Sequence, residues 1–413
     1  MLHYQPLCAI TVVRAMRTVI YILLLATLIG CQKRGRNLSE EPMEHVEDTT
    51  AIELTIDLNK IPAVPFDSLM DDVKFVRLQT DERCLIGVVN QMVCTDDYIF
   101  VMDREMAKSV FCFDMQGRFV RKIGQEGEGP EEYIRLCNIA LSADKKHLVI
   151  VDWAAKLLYY DFVGDLKKTV RLGTGTNHFE AIEEVDEQLI AGFTNSGLSE
   201  EETRPMLYVA TNSEKQEIQY RALPTYQTKL FRINNGMFPF RKYGDDVYLN
   251  RPWTESFYKV GTNGCTKLYQ LDIVGGGYLE ITKDINDNTY IELLNRTVTL
   301  GDYVFCKDVS VFFFSVPKIY WHPFVVHNRK TGSMLRCSGK YTNPLFEFYS
   351  TLNTPLARLG DNTYVVQQSA NRVLSLKKRV YNSPLIQDET LEKLYDGLTE
   401  DSNPVLFFYH LRH

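Results

Sequence analysis

Two aspartates stand at matching ends of apolar runs, Asp103 in "YIFVMD" and Asp152 in "HLVIVD". Carboxylates repeated in this way could converge on one face and hold a cation such as calcium. The same position suits an acceptor for turn amides, the commoner use of Asp where a strand ends. His178, in "GTGTNHF", is the histidine best placed in a connector, where an imidazole could act as acid, base or zinc ligand. His147 falls at a hairpin tip and His327 in a strand-like run, so neither is placed to assist it. Tyr320 and Trp321, in "VFFFSVPKIYWHPFVV", could stack on a sugar, although alternate positions of that run also read as core. Arg241 and Arg251 flank "YGDDVYLN" and could bind anionic groups or simply face solvent. The acidic residues Glu126, Glu128, Glu131 and Glu132 read as a solvated loop, and "GGG" at residues 275–277 lacks the lysine and helix of a phosphate loop.

The elements that position these residues come from a pattern of short alternating strands broken by turn residues every eight to twelve positions, beginning near Ala51. The segment from Asp96 to Gly124 repeats as Lys145 to Gly173: Asp103 matches Asp152, Asp114 matches Asp161, Gly117 matches Gly164 and Gly124 matches Gly173. A period in the forties with several strands per unit belongs to the β-propeller range. Weaker copies of the cadence follow. The reading is an all-β, six-bladed propeller of four-stranded blades at 88–123, 137–172, 180–222, 236–273, 299–338 and 354–378. The last blade lacks an outer strand after Leu376. The run Asp71 to Thr80 supplies it, so an N-terminal strand closes the ring and removes an exposed edge. "DETLEKLYDGL" is then a short helix, and it and the run "NPVLFFYHL" are expected to pack on the propeller's outside. Between the first two blades, "GQEGEGPEEY" (124–133) is a connector whose glycines and Pro130 shape a bend across the upper face.

The remaining organisation concerns export. The apolar run from Val19 to Ile29 follows Arg17 and is too short to span a bilayer comfortably, which reads as a secretion signal, more naturally if translation starts at Met16. It ends in "LIGC", which matches the bacterial lipobox and makes Cys31 the expected lipidation site. Residues 1–30 are therefore read as signal, 31–50 as a polar tether, 51–380 as propeller and 381–413 as helix and strand packed on it. Loss of Arg14 and Arg17 with the signal leaves 44 basic against 53 acidic side chains, a formal charge of −9. Nucleic acid, which needs a basic face, is excluded as a partner on this ground. Seven further cysteines, Cys84, Cys94, Cys112, Cys137, Cys265, Cys306 and Cys337, include no C-x-x-C pair and mostly sit in strand-like runs, as buried free thiols would.

"FVRLQT", "IFVMD", "FDMQGRFVRKIG", "GEGPEEY" and the tail "LEKLYDGLTEDSNPVLFFYHL" together resemble the Bacteroidetes-type six-bladed β-propeller lipoproteins, with units similar to the NHL repeat, over most of residues 70–413. The resemblance implies a lipid-anchored envelope protein, expected at the outer membrane, and no particular reaction. Related surface-exposed lipoproteins often carry acidic residues after the lipidated cysteine; Gln32, Lys33 and Arg34 here leave a periplasmic orientation open. The expected role is a monomeric, non-enzymatic binding or scaffold protein for a protein, peptide or glycan, with no cofactor. The alternative is a metal-dependent NHL-like lyase or lactonase-type hydrolase using calcium or zinc in the central channel.

Overall fold

The run Tyr98–Asp103 is apolar on both faces, and so is its neighbour Ser109–Asp114. Strands of this kind need a sheet covered on both sides. The computed structural model describes residues 51–412 apart from 155, 173–178, 180, 194–203, 215–216, 226–238, 251–253, 280–291, 293–294, 319–322, 349–354 and 383–387. In it, six sheets form a six-bladed propeller of four-stranded blades, two of them extended by a fifth outer strand and one completed by an N-terminal strand, each blade covering its neighbours.

Blade 1 runs Gln91–Cys94, Tyr98–Asp103, Ser109–Asp114 and Phe119–Ile123 from the axis outward. Its middle strands are almost wholly buried, whereas the outer strand carries Arg121 and Lys122. Alternate side chains of one strand serve opposite interfaces: Phe100 and Met102 pack with Ile139 and Ile150 of blade 2, while Ile99 and Val101 pack with Val365 and Leu406 of blade 6. Every interface between adjacent blades has such an apolar cluster. Blades 2 to 5 occupy residues 136–171, 181–225, 240–273 and 298–337, close to the expected spans.

The repeat is visible in the turns. Asp114 Oδ1 accepts from the Gln116 and Arg118 amides, and Asp161 Oδ1 does the same for Val163 and Asp165. Gly117 and Gly164 adopt φ of 79° and 93°, a region where a side chain would be strained.

Blade 6 differs from the expectation. Its strands are Ala357–Leu359, Thr363–Gln368, Val405–Leu411 and Met70–Arg77. The N-terminal strand does close the ring, but it pairs with the C-terminal strand, Phe75 opposite Phe407 and Met70 opposite Leu411. The run Val405–Leu411 therefore lies inside the blade and not on the propeller's outside. Its unbroken apolar character, with six of seven residues buried, is what a strand packed on two faces requires. The segment after Gln368 is helical: Ala370–Ser375 and Lys377–Tyr381 bury Val373, Leu376 and Val380 at helical spacing, and Ser369 caps the start by accepting from the Arg372 amide. With the helix Asp388–Tyr395, these residues form an insertion between the second and third strands of the blade.

The chain before the closing strand also wraps the rim. Ile52–Ile56 adds a parallel fifth strand outside blade 4, and Ala63–Val64 does so outside blade 5. One continuous segment thus covers the outer edges of blades 4, 5 and 6 in turn. Six of the seven described cysteines are buried and Cys94 is half-buried; all are free thiols, and burial pushes Cys94 and Cys112 up to about 12.

Candidate functional site

The chain enters each blade at the upper face, where connectors between blades and turns between second and third strands lie together. Asp103 ends the second strand of blade 1 there. Its Oδ2 accepts from the Gly87 and Val88 amides at 2.7 and 3.0 Å, and its Oδ1 from Glu105 and Met106 at 3.2 and 2.8 Å. Asp152 repeats the device in blade 2, its Oδ1 accepting from Ile134 and Arg135, both at 3.0 Å, with Lys156 Nζ 3.5 Å from Oδ2. Both aspartates are buried and pin an incoming connector to a turn. Among the described residues no group of three or more His, Cys, Asp or Glu could hold a metal ion. The connector 124–133 follows the same logic: Tyr133 is buried and donates to the Lys108 carbonyl at 3.1 Å, and Glu132 accepts from the Gly129 amide at 2.8 Å.

These clamps hold apolar side chains in solvent. Leu85, Val88, Met106, Ile134 and Trp153 all belong to the upper loops of blades 1 and 2, and they are five of the nine large apolar side chains exposed among the described residues. Trp153 is 43% exposed, and one face of its ring is covered by the Arg135 guanidinium at 3.7 Å. Neither Trp153 nor this patch stands out in the sequence, since "VDWAAK" gives no sign that Asp152 holds the adjoining backbone.

The first strands of the blades surround a central cavity of about 940 Å³. Side-chain amides join neighbouring inner strands here: Gln91 donates to and accepts from the Ile139 backbone, and Asn138 does likewise with Ile182. The wall also carries Glu183, Arg241, Lys242 and Arg358. Glu183 Oε1 lies 3.6 Å from Lys242 Nζ, close enough for an ion pair and too long for a hydrogen bond. Burial pushes the Glu183 carboxyl up to about 7, with Lys242 opposing the rise. Next to it, Glu184 accepts from Tyr159 and Asn212 at 2.5 and 2.9 Å and from the Ala143 amide at 2.6 Å, tying blade 3 to blade 2.

Of the residues singled out from sequence, Arg241 lies in the inner strand Phe240–Tyr243 and lines the cavity, its Nη1 donating to the Phe240 carbonyl at 3.0 Å. Asp103 and Asp152 sit at the upper face of separate blades. His327 is buried in blade 5, 3.2 Å from the Tyr269 hydroxyl, and burial lowers its pKa. Cys31, His178, Tyr320 and Trp321 lie outside the described residues. Glu183, Lys242 and Arg358 were not read as site residues. The available signal was charge inside short inner strands, "AIEE" and "FRKY", where apolar residues would otherwise be expected.

The sequence profile of a family described as a domain of unknown function, DUF4934, matches residues 49–410. The chain belongs to the DUF4934 family. No curated protein matches this DUF4934 chain. It is similar in fold to a crystal structure from Bacteroides fragilis NCTC 9343 described as an exported protein, with a TM-score of 0.68, 18% identity, and coverage of 88% of this chain and 100% of that one. A structural genomics protein of unknown function from Bacteroides thetaiotaomicron VPI-5482 matches more remotely, at a TM-score of 0.38 and 11% identity over 82% of this chain and 76% of that one. No helix among the described residues is long and apolar enough to cross a membrane.

Proposed function

We propose that this DUF4934 protein is an exported, lipid-anchored binding protein whose upper face, at blades 1 and 2, docks an envelope protein, peptide or glycan. The observation that carries the reading is the concentration of exposed apolar side chains, Leu85, Val88, Met106, Ile134 and Trp153, on loops made rigid by Asp103 and Asp152. Water-exposed apolar surface costs solubility unless something covers it, and rigid loops lose little entropy when they bind. The Trp153 ring, 43% exposed and backed by Arg135, suits a sugar ring or a peptide side chain. The description of the Bacteroides fragilis neighbour agrees with export, and the "LIGC" motif makes Cys31 the anchor, with the outer membrane as the expected site.

The test uses the full chain in detergent with panels of envelope glycans and peptides, each ligand recovered and weighed by mass spectrometry. Binding that weakens about tenfold or more in a Trp153→Ala, Met106→Ala double variant, with ligand recovered unchanged, is expected. Recovery of a cleaved or eliminated product would instead establish a lyase or hydrolase, and undiminished binding by the double variant would remove the upper face from the account. Anchoring is checked separately, since Cys31→Ala should abolish incorporation of a labelled fatty acid.

A further inference from the structure

The central cavity opens a question the upper face does not answer. Its lower border is formed by hairpins between first and second strands, including Thr95–Asp97, Lys145, Gly244 and Gly360–Asp361, so it lies away from the Trp153 patch. Asp96, Asp97, Lys145 and Asp361 are exposed at this rim, whereas Glu183, Arg241, Lys242 and Arg358 are half-buried in the wall. The cavity lining as a whole matches four cations, Lys145, Arg241, Lys242 and Arg358, with four carboxylates, Asp96, Asp97, Glu183 and Asp361, but three of the cations are set back in the wall while three of the carboxylates stand at the exposed rim.

Arg358 is the informative group. Its Nη1 donates to the Lys242 carbonyl at 3.4 Å, and its Nη2 to the Gly360 and Asp361 carbonyls at 3.1 and 2.9 Å. The guanidinium also lies 4.6 Å over the Tyr243 ring. Among the described residues no ion pair neutralises it, and its buried Nε has no hydrogen-bond partner. Carbonyl oxygens orient a guanidinium without cancelling its charge, and burial lowers the pKa of Arg358 accordingly. The same strand that receives Arg358 carries Lys242, whose Nζ donates to the Glu184 carbonyl at 3.1 Å and balances Glu183 from 3.6 Å. A cavity of this size with charged groups in its wall suits a small molecule. Inside the acidic rim, the wall presents its cations to a bound anion.

We propose that the cavity binds a small organic anion, held through its carboxylate or phosphate by Arg358 and Lys242. The Nη1 proton that Arg358 has left and the Lys242 ammonium can each donate to either group, so the anion is held between two side chains. Glu183 tunes the site. Lys242 from blade 4 and Glu184 from its own strand are the charged groups that act on it. As its carboxyl takes up a proton below about 7, the one half-buried carboxylate of the wall among the described residues loses its charge, Lys242 is released for the ligand, and the anion binds more tightly.

The experiment compares galacturonate, glucose 6-phosphate and uncharged galactose on the full chain by calorimetry and thermal shift. Binding of one or both charged sugars, with galactose inert, is the expected result, and which of them binds identifies the preferred group. In Arg358→Gln with parent-like melting, affinity should fall at least about tenfold. Galacturonate, whose own charge is constant between pH 6 and 8, should bind several-fold tighter at pH 6, and Glu183→Gln should bind as tightly at pH 8 as the parent does at pH 6. Equal binding of galactose, no binding of either charged sugar, or affinity indifferent to both substitutions would overturn the proposal. None of those outcomes bears on the upper face, which Trp153→Ala and Met106→Ala test independently.

Discussion

The interfaces between blades and the channel they enclose are built from the same strands, yet they obey opposite rules. Between blades 5 and 6, Phe407 is fully buried and stacks on Phe348 with ring centroids 4.7 Å apart. Around the channel, a few residues away in the same sheets, Glu183 lacks a hydrogen-bond partner at Oε1 and Arg358 at Nε. Buried charged groups without partners cost stability, so a channel wall that keeps them contrasts with the close-packed aromatic seam between blades. The comparison assigns stability to the interfaces and binding to the channel and upper face. It makes each assignment testable by substitutions that should affect one property and spare the other.

The largest effect is expected at the interface. Phe407→Ala removes a ring from the seam where the two ends of the chain meet and should cost about 3–5 kcal/mol in urea unfolding. Ligand affinity of the folded fraction should be unchanged.

Next comes pH. The Glu183 carboxyl is raised by burial from an ordinary value of 4.5 to about 7, and burial raises Glu255 to about 7 as well. A carboxyl whose folded pKa is raised binds its proton more tightly in the native state. Its contribution is therefore full below about 4.5 and is lost as pH rises through 7. Glu183 alone accounts for on the order of 3 kcal/mol across that window. Glu183→Gln should flatten this part of the stability profile, leaving the contribution of Glu255; an unchanged slope would show that Glu183 is not desolvated.

Asp103→Ala orphans the amides that the carboxylate now holds and should cost about 2 kcal/mol. Asp103→Asn, which keeps one acceptor oxygen, should cost less. Trp153→Ala should be nearly silent in stability, within about 0.5 kcal/mol, because its ring is at the surface. A large loss there would mean that the upper patch is structural and would blur the comparison.

The parts legible in the sequence are those with local causes. Blades 1 and 2 announce themselves because Asp103 and Asp152, Asp114 and Asp161, and Gly117 and Gly164 each do one job in one turn, so the residue type repeats with the geometry. Closure by the strand Met70–Arg77 could be read from the need to cover an edge. Its partner could not, since Val405–Leu411 is separated from Thr363–Gln368 by a helical insertion and local periodicity carries no record of that pairing. The rim strand Ile52–Ile56 was hidden for the same reason. The channel was least legible: inner strands such as Phe240–Tyr243 and Ala357–Leu359 are too short to show a period, and the burial of Glu183 and Arg358 depends on six segments meeting around an axis.

The most direct test of the division between interfaces and channel is the titration of the Glu183 carboxyl by carbon-13 NMR, assigned by its absence in Glu183→Gln. A midpoint near 7, moving when galacturonate is added, is the predicted result. A midpoint at the ordinary glutamate value of 4.5, indifferent to the sugar, would contradict it and leave the channel a solvated gap between blades.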